Sequence, residues 1–188
     1  MKQIGKGILL IMIVLSLVSC SERTKIRRTL REFESKQLSI PECMIFCPDN
    51  TFQRREVPVG MIYIIYFPPE VCNTCAISHL DLYSDFCHLA DSCGFTPMII
   101  LSPNPNDIED VIQSLKTRFS DIPVWLDADE RFRNNNDGII PTDSRFHAFL
   151  LNESHNPVFV GDPSIPSIKD ILIKCLNNNS ITTNTKKH

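Results

Sequence analysis

Two cysteines separated by two residues, Cys72-Asn73-Thr74-Cys75, are the groups in this chain best placed to do chemistry. They follow the apolar run Met61-Ile62-Tyr63-Ile64-Ile65-Tyr66-Phe67 and precede a long amphipathic stretch. That pattern predicts a strand running into a helix whose first turn carries both sulfurs. First-turn N–H groups lack intrahelical partners and carry partial positive charge, which stabilises a thiolate. A thiolate is the nucleophile of thiol–disulfide exchange, and a second thiol one turn on can attack the mixed disulfide and release the partner. The competing reading of the pair is a structural disulfide, or two thiols in a binding domain without catalysis.

The chain has eight cysteines, and the first stands apart. Lys2 and Lys6 open a basic start, an apolar run covers Ile8 to Val18, and the segment ends Leu17-Val18-Ser19-Cys20. This reads as a secretory signal, too short for the roughly 20 apolar residues of a membrane span. Leu-Val-Ser-Cys resembles the bacterial lipobox. The resemblance implies that Cys20 is a lipid-bearing first residue, anchoring the protein in the bacterial cell envelope so that it faces the periplasm or the cell surface. Export implies a compartment in which disulfides persist. The other seven cysteines are odd in number, so a monomer keeps at least one free thiol. Cys43 and Cys47 lie between Pro41 and Pro48 and are expected to form a local structural disulfide, or to have one member paired elsewhere, with a second redox pair or a metal clip as alternatives. Cys87, Cys93 and Cys175 fall on apolar helix faces and are expected to be small buried hydrophobes.

Removal of residues 1–19 leaves about 169 residues, enough for one domain with a proper core. The full chain carries net charge −3; without Lys2 and Lys6 it carries 17 basic and 22 acidic residues, or −5. A mildly acidic chain lacks the footprint of a nucleic-acid binder. The expected organisation is a signal over 1–19, a lipid-anchored tether and charged helix over 20–36, an irregular extension over 37–59, one domain over 60–177 and a polar tail over 178–188. Within the domain the reading is a strand over 61–67, an apolar-striped helix from Ala76 closed by Gly94, and a strand over 97–101. A helix through Ile108 to Phe119 and a short strand at 123–126 follow. A hairpin of 147–151 with 157–160 and a final helix through Leu176 complete it.

Strand, C-x-x-C helix, strand, helix, strand, hairpin, helix: this order resembles the thioredoxin superfamily over residues 60–177, and especially its exported, membrane-tethered thiol–disulfide oxidoreductases of the cytochrome-maturation type. The resemblance implies an α/β three-layer sandwich, a mixed central sheet with helices on both faces. It also implies that Cys72 is the exposed attacking thiol and Cys75 the more buried resolving thiol. The chain departs from the family pattern in three places. Val71 precedes the first cysteine, with Asn73-Thr74 between the two. Tyr66 stands where the family has a buried acid. The hairpin register puts Phe146 where the family has a cis-proline, while Ile140-Pro141-Thr142 looks like the family's Ile-Pro-Thr placed five residues early. Either Pro141 reaches back through a longer loop or Phe146 covers the sulfurs; the register of the apolar run favours Phe146.

The expected activity is exchange with a disulfide client among exported proteins. It needs no cofactor beyond the two thiols and is recharged by a membrane-bound electron donor. Two alternatives stand. Two thiolates and His147, at the strand end nearest the motif, make a soft-ligand set for Cu(I) or Zn(II) in a binding or delivery module. Or the scaffold is a non-catalytic interaction lipoprotein.

Overall fold

The run Met61–Phe67 forms β3, and its five central residues are buried on both faces of the sheet. The computed structural model describes residues 22–47, 51–117 and 122–184; Cys20 and the signal segment lie outside the described residues. Helix α1 covers 22–34 and strands β1 (Cys43–Phe46) and β2 (Phe52–Arg55) precede β3. Then come α2 (Asn73–Ser78), a 3₁₀ turn (Leu80–Tyr83), α3 (Ser84–Cys93), β4 (Phe95–Leu101) and α4 (Ile108–Thr117). Strand β5 (Val124–Leu126), α5 (Arg131–Asn135), β6 (Ala148–Leu151), β7 (Pro157–Val160) and α6 (Pro166–Asn184) complete the order.

The seven strands form one sheet in the order β2-β1-β5-β4-β3-β6-β7. Strand β4 is parallel to both β3 and β5; β6 is antiparallel to β3 and β7. Side chains alternate along each strand, and the alternation divides the core in two. Tyr63, Ile65, Ile99, Leu101, Val124 and Leu150 pack on one face with residues of α2, α3, α4 and α6. Ile62, Ile64, Tyr66, Met98, Trp125 and Phe149 pack on the other with Phe33 of α1 and Phe132 of α5. The sheet is thus mixed and covered by helices on both faces, as expected.

Three boundaries differ from the sequence reading. Residues 37–59 are not irregular throughout: β1 pairs antiparallel with β5 and with β2, adding a hairpin to the sheet edge. In a strand, residues four apart are separated by about 13 Å, beyond the reach of a disulfide; Cys47 is accordingly a free, buried thiol. Helix α1 docks on the core through Phe33, edge-on to Phe149 at 5.1 Å, rather than serving as a tether. Helix α6 runs on to Asn184, past the expected end at Leu176.

Candidate redox site

Pro68 and Pro69 end β3, and the chain turns into α2, with Cys72 as its N-cap. The backbone N–H of Cys75 donates to Cys72 Sγ at 3.3 Å, and Thr74 Oγ1 lies 3.4 Å from the same sulfur. Hydrogen bonds to sulfur favour the thiolate once the pair is reduced. Here the pair is oxidised: Cys72 and Cys75 form a disulfide with Cα atoms 5.2 Å apart. Both residues are exposed, which departs from the expectation of a buried resolving thiol. The cause is the shortness of α2. The expected long helix breaks at His79 into α2, the 3₁₀ turn and α3, so less than one turn of α2 follows the motif, and Ile77 and Leu80, not Cys75, enter the core. Gly94 closes α3 in the left-handed region at φ 73°, its N–H on the Ala90 carbonyl, as the sequence predicts.

The motif is held from below by a residue inside it. Asn73 is buried, and its Nδ2 donates to the carbonyls of Val71 (3.0 Å) and Pro68 (3.3 Å). Asn104 Nδ2 donates to the Pro69 carbonyl at 2.7 Å, tying the loop before α4 to the same turn. The sequence hinted at neither anchor beyond the polar type of the two residues.

Strand parity sets where Tyr66 lies. It sits six residues before Cys72 but on the α5 face, stacked edge-on to Phe132 at 5.0 Å, while α2 packs on the opposite face. Burial pushes its phenol up to about 12. Pro141 and His147 join Tyr66 in lining a cavity of about 430 Å³ that Pro68, Glu70 and Val71 bound on the motif side. Phe146 lines a different cavity, against Lys25, Ile26 and Phe33 of α1; the favoured placement over the motif gives way to Pro141 in the cavity beside Val71. No peptide bond among the described residues is cis, so Pro141 is trans. The slip comes from a 3₁₀ turn at Ser144–Phe146, capped by Asp143 on the Arg145 N–H, which the apolar run of β6 does not foretell.

His147 Nε2 lies 2.9 Å from the Pro141 carbonyl oxygen. The imidazole is thus engaged inside the fold while the sulfurs face out. Among the described residues no group of three His, Cys, Asp or Glu could hold a metal ion, and in this disulfide form the ligand set Cys72, Cys75 and His147 is not assembled. Burial holds His147 below its usual 6.5, against the Pro141 carbonyl, Asp143 and Glu70, which favour the imidazolium. The unfolded chain therefore takes up this proton first as pH falls. The expected result is stability lost as pH drops through 6.5 and levelling off below the folded pKa. The urea midpoint of wild type should fall relative to that of His147→Gln between pH 7.5 and pH 5; a constant difference would contradict it.

The remaining thiols separate by environment. Cys87 is half-buried and burial pushes it up to about 11, while Cys175 is exposed, contrary to the expectation of a buried residue. At neutral pH a thiol of pKa about 11 carries roughly a hundredfold less thiolate than one at 9.0. Iodoacetamide labelling of the folded protein, read by peptide mass spectrometry, should modify Cys175 first and leave Cys47 and Cys87 largely unmodified; equal rates would contradict these placements.

A β–α–β unit with parallel strands, a C-x-x-C motif at the carboxyl end of the central strand, and a closing antiparallel hairpin and helix now stand together. The fold is thioredoxin-like. No family model matches the chain, and no curated protein matches it. Among solved structures it is similar to Enterococcus faecalis AhpC, at 13% identity over 81% of this chain and 95% of that one, with a TM-score of 0.45. It is also similar to Xanthomonas campestris Peroxiredoxin Q, at 15% identity over 77% and 97%, with a TM-score of 0.49. A third is a thioredoxin-like protein in its oxidized form, at 10% identity over 65% and 81%, with a TM-score of 0.39. At these levels the likenesses assign neither family nor activity, and the fold assignment rests on strand order and motif position.

Proposed function

We propose that this protein is a thiol–disulfide exchange protein of the bacterial cell envelope, acting on disulfides of exported proteins through Cys72 and Cys75. The observation that carries the reading is an exposed disulfide at the start of α2 whose first sulfur accepts an N–H of its own turn. In the reduced protein the Cys72 thiolate attacks one sulfur of a client disulfide. The client S–S bond breaks and one client thiolate leaves with the electron pair. Cys75 then attacks Cys72 Sγ, the mixed disulfide breaks, and the second client thiolate leaves. Two electrons have passed to the client, and the domain is left as the disulfide described above. A membrane-bound electron donor returns two electrons, and a lipid on Cys20 keeps the domain beside it. With both sulfurs exposed, the same pair also accepts electrons from a client dithiol if its potential is high.

The decisive measurement is the reduction potential of the pair, set against insulin reduction by the dithiol form. The reading expects a potential above about −300 mV and turnover of insulin. A lower potential with no turnover of any disulfide would make the bond structural and favour the interaction-module alternative. The lipid is tested separately, by the mass of the mature N-terminal peptide from cells; an unmodified Cys20 would remove the anchor.

A further inference from the structure

Helix α1 has two faces of different character. On the helical period Ile26, Leu30 and Phe33 share one side; Phe33 is buried in the core, and Ile26 and Leu30 are half-buried. The opposite side carries Thr24, Arg27, Arg28 and Arg31, all exposed. Arg28 is paired with Glu32 at 2.8 Å. Arg27 and Arg31 make no ion pair among the described residues.

Charge along the chain is divided in the same place. Positions 23–31 hold five basic residues and no acid, whereas the rest of the mature chain holds 12 basic and 22 acidic residues, or −10. A basic face one helix wide on so acidic a body suits a flat anionic surface that meets α1 alone. A polyanion that wrapped the domain would meet the excess acid. Chain position gives the surface its source. Cys20, the lipid-bearing residue of the reading above, stands two positions before Glu22 at the start of α1. Two residues span at most about 7 Å, so an anchored Cys20 holds the first turn of α1 beside the headgroups. The apolar side of α1 is occupied by the core, so the helix meets them through charge and not by insertion.

We propose that the outward face of α1 lies on anionic phospholipid headgroups through Arg27, Arg28 and Arg31. The proposal rests on the membrane reading and adds an orientation to it. Phe33 of α1 packs on one face of the sheet and Ile77 of α2 on the other. A docked α1 therefore puts the Cys72–Cys75 disulfide across the sheet from the bilayer, on the side open to soluble clients.

The test uses the mature chain, residues 20–188, with Cys20→Ser so that no lipid is attached. It measures co-sedimentation with vesicles of phosphatidylcholine, alone or mixed with phosphatidylglycerol. The chain should partition onto the anionic vesicles only, and lose that binding in 1 M salt, where screening acts over about 3 Å. Arg27→Gln/Arg28→Gln/Arg31→Gln should lower the partition coefficient about fivefold per arginine, or on the order of a hundredfold in all. The lysine triple at the same positions keeps the charge and should keep most of the binding. Arg54→Gln/Arg55→Gln/Lys174→Gln removes equal charge elsewhere and should bind as wild type; cooperative urea unfolding of each variant confirms its fold. No preference for anionic vesicles, or equal losses in the two glutamine triples, overturns the proposal. Tighter retention on a DNA duplex than on anionic vesicles at the same salt also overturns it, and makes the face a nucleic-acid contact. Because this chain carries no lipid, an unmodified Cys20 in cells would remove the anchor without altering the vesicle result.

Discussion

Cys72→Ser should abolish insulin reduction, lowering the rate on the order of a thousandfold or more, because a lone Cys75 lacks the N–H that Cys72 Sγ accepts and has no second thiol to resolve any mixed disulfide it forms. Cys75→Ser should behave differently. Its Cys72 thiol still attacks, but the mixed disulfide has no internal thiol to resolve it and should persist as a covalent adduct visible by non-reducing mass spectrometry. The asymmetry follows from geometry: Cys72 Sγ, not Cys75 Sγ, receives the N–H of its own turn and lies beside Thr74. Adducts that accumulate on Cys75 in the Cys72→Ser protein, and not on Cys72 in the Cys75→Ser protein, would reverse the assignment. Stability separates this from the structural alternative. A bond closing so short a loop constrains the unfolded chain little, about 2 kcal/mol in the chain-entropy account, so both variants should fold.

Asp127→Ala should destabilise the protein by about 2–4 kcal/mol. The carboxylate is buried, 3% exposed, and accepts from the backbone N–H groups of Arg131 and Phe132, both at 2.9 Å, and from the Ser102 hydroxyl at 3.0 Å. It thereby holds the first turn of a five-residue helix that is too short to persist alone. Alanine leaves all three donors without this acceptor. Helix α5 in turn places Phe132 against Tyr66, Arg133 against Glu70, and Asn136 on the backbone N–H and C=O of Ser39 at 2.8 Å each. Loss of the cap should therefore also loosen the cavity beside Val71. Urea denaturation gives the stability change; a loss below about 0.5 kcal/mol would mean that packing of Phe132 alone holds α5.

Strand β3 was legible because it is buried on both faces, which leaves one continuous Ile- and Tyr-rich run with prolines at its end. The end of α3 was legible because a glycine is needed for its left-handed cap. The β1–β2 hairpin was harder to read: β1 is only four residues long, and β2 exposes three of its four residues, so neither carries a full alternation. Helix α5 was hidden for a related reason. Its five residues span little more than one turn, and its stability comes from Asp127, Ser102 and Ser39, which belong to other parts of the chain.

The candidate site divides in the same way. Residue type and spacing alone determined that two thiols three positions apart follow the central strand and can bond to each other, because that depends on local backbone geometry. Tertiary structure decided that Cys75 is exposed, since α2 breaks at His79. It placed Tyr66 on the face away from α2, since neighbouring side chains of a strand point oppositely. It also put Pro141 and His147, rather than Phe146, in the cavity beside Val71, since a 3₁₀ turn stands between the loop and β6. Those choices depend on which distant segments share a face of the sheet, and side-chain packing across that sheet supplies the free energy that selects them.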